Sequence, residues 1–190
     1  MSIRADIENY KPWNDQEEKD RRAILRFLDM AEAPFSRENT LAHMTASSWI
    51  VNRERTKVLL CYHTIYDSWS WTGGHADGNP DLLAVAVKEA AEETGIRSGN
   101  PVSKEIFSLE ILTVDGHEKH GAYVSSHLHM NITYLLEADE NDELKACEGE
   151  NSAVRWFLLE EAPEASSEPW MVRRIYRKLN EKLCGKLREG

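Results

Sequence analysis

Residues 73–96 place the strongest constraint on what this chain can fold into. Gly73-Gly74-His75-Ala76-Asp77-Gly78-Asn79-Pro80 is a turn-forming stretch, and the residues behind it read as a helix over about 80–94. Asn79 is placed to cap that helix, Pro80 suits its first position, and Gly95 supplies a left-handed residue past its last turn. Leu83, Ala86, Val87, Ala90 and Thr94 fill one sector of it, and Glu89, Glu92 and Glu93 lie within an adjoining sector of about 100°. One face must pack, and the face beside it is anionic. These glutamates stand near the helix C-terminus, where the macrodipole already disfavours negative charge, so without a cation their arrangement is unfavourable. A hard divalent ion with oxygen ligands, Mg²⁺ or Mn²⁺, offsets that cost, whereas a solvated acidic face is the ordinary alternative.

Elsewhere the patterns are those of a mixed chain. Asn14, with Glu17 three residues on, marks a helix start of capping-box type, and Ile24, Phe27 and Leu28 give that helix one apolar stripe with which to dock. Ser48–Asn52 and Lys57–His63 read as a hairpin about the charged turn Arg53-Glu54-Arg55. Strand-like runs follow at Ile106–Val114, Ala122–Leu136 and Ala153–Leu159. A closing helix over Pro169 to about Cys184 carries Val172, Ile175, Tyr176, Leu179 and Leu183 at helical spacing. Strands interspersed with helices indicate an α/β fold around a mixed sheet. With no repeat or linker dividing the chain, the expected organisation is a helical extension over 1–40 and one domain over 41–190.

Composition excludes several functions. The 190 residues are 41% hydrophobic and 29% charged, enough for one buried core, and no apolar run approaches the roughly 20 residues that span a bilayer. A net charge of −10 argues against wrapping a nucleic-acid polymer. The charge is uneven: residues 137–168 hold eleven acids and two bases, and 171–190 hold seven bases and two acids. The expectation is an acidic loop and a solvated basic helix face. Cys61, Cys147 and Cys184 are odd in number and widely spaced, and the N-terminus has no signal-peptide pattern, so free thiols in a cytoplasmic location are expected.

Residues 74–96 resemble the Nudix box, G-x5-E-x7-R-E-U-x-E-E-x-G-U, in spacing throughout. Gly74 takes the first position, Glu89-Ala90 the E-U pair, Glu92-Glu93 the second acidic pair and Gly95-Ile96 the end. Pro80 stands where the first Glu belongs, and Lys88 replaces the Arg. The similarity extends over residues 43–157, through His43–Val51, Val58–His63, Trp71–Gly78, His127-Leu-His129 and Glu150–Phe157, like a branch with a Gly-Gly-His-x-Asp-Gly opening. It implies a Nudix-type α/β/α sandwich around a mixed sheet, and hydrolysis of a phosphoanhydride bond in a nucleoside diphosphate linked to another moiety, by attack of a metal-activated water.

By that resemblance the catalytic residues are Glu89, Glu92, Glu93 and Lys88. Mg²⁺ or Mn²⁺ would take ligands from Gly74 (its carbonyl), Glu89, Glu92, Glu93 and Glu150. Lys88 keeps the charge of the family's Arg but loses its planar fork. His63, Trp71, His75, His127 and His129 are the candidate substrate contacts, and Trp69 and Tyr66 are further rings near the glycine loop. Asp77 and Asp81 could replace the missing box Glu, although turn and helix-start roles suit them as well. His127 and His129 alternate on a strand and so share a face, with His117 in the turn before them, which leaves a zinc site as a rival use. The expected partner is a small-molecule nucleoside diphosphate derivative, with no nucleic-acid polymer and no membrane, and a homodimer is a possible assembly. The rival function is a catalytically impaired Nudix-fold ligand-binding module.

Overall fold

The computed structural model describes residues 2–119 and 121–189. Two helices, α1 (Ile3–Asn9) and α2 (Asp15–Met30), lead into β1 (Ala42–Asn52), β2 (Lys57–His63), β3 (Ser68–Ser70) and β4 (Thr72–His75). Then come α3 (Leu82–Thr94), β5 (Asn100–Pro101), β6 (Ser108–Val114), β7 (His117–Lys119), β8 (Ala122–Val124), β9 (His127–Ala138) and β10 (Asn151–Leu158). The short helices α4 (Ala162–Ala165) and α5 (Pro169–Met171), a π-type turn at Val172–Tyr176 and α6 (Arg177–Glu189) close the described chain. No described helix is long and apolar enough to cross a membrane.

The centre of the mixed sheet is a parallel pair, β1 with β9, in unbroken register from Ala42 opposite Leu128 to Asn52 opposite Ala138. Parallel pairs at a sheet centre are covered on both faces, and every residue of β1 is buried. The other edge of β1 is shared: its end pairs with β2, and Thr45–Ser48 pairs with β4. Alternation then separates the side chains. Met44, Ala46 and Ile50 meet Leu82, Val85, Ala86 and Ala90 of α3, while Trp49 and Val51 meet Ile175, Tyr176, Leu179 and Leu183 of the closing helix. The result is a helix layer on each face.

Helix α2 forms where the capping signal places it. Asn14 Oδ1 accepts from Glu17 N at 3.0 Å, Ile24 is fully buried, and Phe27 and Leu28 pack against the core. The box is not reciprocal, because Glu17 turns to Trp13 N at 2.7 Å and into a buried polar cluster. Lys182 Nζ and Lys178 Nζ meet Glu17 Oε1 at 2.8 and 3.2 Å, and Lys178 also meets Glu110 at 3.0 Å. This corrects the solvated basic face: Lys178 and Lys182 are 4% and 7% exposed. Two lysines among apolar residues cannot be told from surface ones by charge counting, since their acidic partners are distant in sequence, Glu110 lying 68 residues before Lys178 and Glu17 lying 165 before Lys182.

The start of α3 also differs from expectation. Asp81 is the cap, with Oδ1 accepting from Ala84 N at 3.0 Å, and Asn79 Oδ1, two residues earlier, accepts from Asp81 N at 3.0 Å. Pro80 therefore stands outside the helix. A second competitor for the first turn, two residues on and equally able to cap, decides the boundary. Gly95 ends α3 at φ 76°, as the spacing predicts.

Candidate active site

The glycine strand β4 lies between two unlike environments. Opposite Ala46, Gly74 faces α3, where a Cβ added to it would lie 2.5 Å from the Glu89 carboxyl carbon. Only glycine lets the Glu89 carboxylate lie on the strand. Gly73, opposite Ser47, has no room either, since its Cβ would fall 2.4 Å from Ser47 Oγ. The two glycines thus let β4 lie close both to α3 and to β1.

Glu93 lies deepest, 5% exposed. One oxygen accepts from Gly73 N at 2.8 Å and the other from the Cys61 thiol at 3.3 Å. Burial, with Glu89 and Glu150 adding like charge, pushes the Glu93 carboxyl up to about 7 against the hydrogen bonds that favour its ionised form. Burial also raises Glu89, again with Glu92 and Glu150 contributing, while Lys88 opposes. Lys88 Nζ reaches Glu92 at 2.6 Å and Glu89 at 3.2 Å, with its own side chain 60% exposed. Glu150 is exposed in the turn before β10, where its carbonyl accepts from both Thr64 N and Thr64 Oγ1.

These groups fit a hard divalent cation. Four carboxylates influence one another electrostatically, two are raised in part by their neighbours, and the donors are all oxygen. Lys88 is the cation that pairs with them among the described residues, and it reaches only Glu89 and Glu92.

The histidines assemble elsewhere. His75 faces the same side as Thr45, its partner on β1, and so turns away from α3. There it meets His43, His127 and His129, and one ligand-type nitrogen from each lies within 4.8 Å of the rest. Burial, followed by the neighbouring imidazoles, pushes His129 down to about 2, and burial lowers His43 as well. Both shifts favour the neutral ring.

Of the other sequence candidates, Trp71 lies in the interior, 8% exposed and edge-on to Tyr176, so the core takes the ring surface expected for a ligand. His63 ends β2, with Nδ1 accepting from Ile65 N and its ring 4.5 Å from that of the exposed Tyr66. Trp69 packs edge-on to Phe157. Asp77 forms a two-pronged ion pair with Arg37, and Asp81 caps α3. His117 is not among the four converging rings.

Sequence reasoning missed Cys61, Asn151 and His43. Cys61 was read only for its redox state, yet its place in a buried strand is set by β2 alternation. Asn151 Nδ2 donates to the Glu93 carbonyl at 2.9 Å and ties the end of α3 to β10. His43 joins the cluster through the parallel register with His129, which no local pattern announces.

A model of the NUDIX domain matches residues 42–179. Among curated proteins no significant match was found. The fold is similar to that of a C. elegans Ap4A hydrolase in a binary complex (19% identity, TM-score 0.50, 77% of this chain and 98% of that one). It is also similar to the E. coli dihydroneopterin triphosphate pyrophosphohydrolase (14%, TM-score 0.53, 71% and 92%) and to the M. smegmatis Nudix hydrolase RenU (16%, TM-score 0.54, 75% and 86%). With the family's domain matched over residues 42–179, more than half of the chain, and the acidic helix seated on its glycine strand, this chain belongs to the Nudix family.

Proposed function

We propose that the protein hydrolyses a phosphoanhydride bond in a nucleoside diphosphate linked to another moiety, with Mg²⁺ or Mn²⁺ as cofactor. The observation that carries this reading is the seating of Glu89 and Glu93 on Gly74 and Gly73, which gathers an acidic helix face against a strand with no side chains in the way. The similar structures named for Ap4A and for dihydroneopterin triphosphate are in keeping with a substrate of this class.

Glu89, Glu92, Glu93, Glu150 and the Gly74 carbonyl would hold the cation. When bound, it supplies charge neutralisation of the diphosphate and lowers the pKa of the attacking water. Glu93, fixed by Gly73 N–H and the Cys61 thiol, is the rigid member of the set. Glu89, raised by burial and nearby like charge, is suited to take the proton of the water. Lys88 holds Glu89 and Glu92 in place from the solvent side. Of the substrate contacts expected from the sequence, His63 beside Tyr66 keeps that role in this reading, while Trp71 is interior and His75, His127 and His129 face away from α3. The free thiols of Cys61, Cys147 and Cys184 favour a cytoplasmic setting.

The test is a panel of nucleoside diphosphate derivatives incubated with the protein and Mg²⁺, with products identified by mass. Cleavage at a phosphoanhydride is expected. Binding of panel members with no turnover would instead favour the ligand-binding module, for which the missing carboxylate at Pro80 is the specific support.

A further inference from the structure

We propose that His43, His75, His127 and His129 form a binding site for one divalent transition-metal ion, best matched by zinc, on the face of β4 opposite the α3 carboxylates. Three strands build it. The parallel register sets His43 opposite His129, and His127 lies two residues before His129 on the same face. The antiparallel register of β4 brings His75 to Thr45, two residues along β1 from His43. Ring centroids of His43 lie 4.9–5.1 Å from those of the other three, and the four ligand atoms lie within 4.8 Å of one another.

Three further observations point to an ion rather than to ring packing alone. First, His127 Nε2 and His129 Nε2 are 3.2 Å apart. Two nitrogens bound tetrahedrally to zinc at 2.0–2.1 Å are separated by about 3.3–3.4 Å, so this pair already stands at ligand spacing. Second, His43 Nδ1–H donates to the Asn39 carbonyl at 3.1 Å and His127 Nδ1–H to the Ser125 carbonyl at 2.8 Å. A backbone carbonyl can only accept, so both rings carry the proton on Nδ1 and keep the Nε2 lone pair for a ligand, the outer support usual for metal-binding histidines. Third, His43 is 3% exposed and its Nε2 has no hydrogen-bond partner. A buried acceptor left unpaired is costly, and a bound cation would satisfy it.

Imidazole donors select zinc, copper or nickel over Mg²⁺, whereas the α3 face offers only oxygen. Because Gly74 faces α3 and His75 faces the cluster, adjacent residues of one strand serve unlike ions. The histidine ion would fasten the glycine strand to β1 and β9.

To test this, the full chain is stripped with chelator and titrated with Zn²⁺, then separately with Co²⁺, in excess Mg²⁺ to occupy the oxygen ligands. One equivalent of zinc retained through gel filtration, and the visible spectrum of tetrahedral Co²⁺, are expected. His127→Gln and His129→Gln should each weaken zinc binding at least about 10-fold, no less than the loss of an outer-shell partner. Glu93→Gln should leave zinc affinity unchanged, which separates this site from the hydrolytic one. If His129→Gln fails to fold by circular dichroism, the wild-type cobalt spectrum and the His127→Gln variant still decide. Absence of stoichiometric zinc or cobalt in the folded wild type would overturn the proposal. So would full affinity in the histidine variants, or loss of binding in Glu93→Gln.

Discussion

The Glu93 carboxylate accepts the backbone N–H of Gly73 at 2.8 Å on one oxygen and the Cys61 thiol at 3.3 Å on the other, so helix and strand fix it from two sides. Replacing it by an amide keeps the shape and removes the charge that would hold a cation. Glu93→Gln should lower turnover at least about 100-fold with the fold intact. Near-wild-type turnover at saturating substrate and Mg²⁺ would remove Glu93 from the cation site.

The same residue predicts a pH dependence in the cation-free protein. Its folded-state value of about 7 lies above the ordinary 4.5, so the folded protein keeps a proton that the unfolded chain releases. Its contribution to stability is full below about 4.5, falls as the pH rises towards 7, and levels off above. Measured by urea unfolding in chelator, wild type should lose about 3 kcal/mol relative to Glu93→Gln between pH 4 and pH 8. A difference between the two proteins that stays constant with pH would contradict the burial of an ionisable Glu93.

Lys88 bridges Glu89 and Glu92. If its charge positions them, Lys88→Arg should retain or raise kcat, and Lys88→Met should lower it by roughly 10- to 1000-fold, about 1.4 to 4 kcal/mol. Unchanged kcat/KM in Lys88→Met on a substrate that the wild type hydrolyses would reduce Lys88 to a solvated charge.

Gly74 tests the seat of Glu89. A Cβ there would fall 2.5 Å from the carboxyl carbon, so Gly74→Ala must push the Glu89 side chain aside. A displacement of about 1 Å at a reacting group costs on the order of 100-fold, and that loss is expected in kcat with the far-ultraviolet spectrum preserved. Wild-type kcat in Gly74→Ala would show that the contact between them has no part in the chemistry.

The Glu17–Lys178–Glu110 cluster is a stability prediction. Lys178 touches both carboxylates while 4% exposed. Lys178→Met leaves two buried acids short of one counter-charge, and the loss should be about 3–5 kcal/mol by denaturant unfolding at neutral pH. A loss below about 1 kcal/mol would place the pair in the class of exposed bridges.

What was legible in the sequence follows the range of the interactions involved. The acidic face of α3, the Gly95 stop, the Asn14 cap and the apolar stripe of α2 are set within a few residues, and each stands where its spacing puts it. The short strands β4 and β5 exist only through pairing with the distant strands β1 and β9, and nothing local marks them. For the same reason His127 and His129 could be placed on one face, whereas His43 required the parallel register of β1 with β9. Trp71 shows the opposite failure: a ring beside a glycine pair reads as a binding surface, and the closing helix covers it.

The buried bridge from Glu17 to Lys182 joins residues 165 apart in the chain, and this bears on the order in which the protein can be made. During synthesis α2 emerges before α6, carrying a carboxylate whose buried lysine partners come from that later helix. Until Lys178 and Lys182 leave the ribosome, docking α2 would strand that charge in the interior, at a cost of several kcal/mol. The acidic helix and glycine strand can form meanwhile, but the N-terminal helix must wait. A nascent chain halted before residue 178 should therefore expose α2 to protease, and the finished chain should protect it.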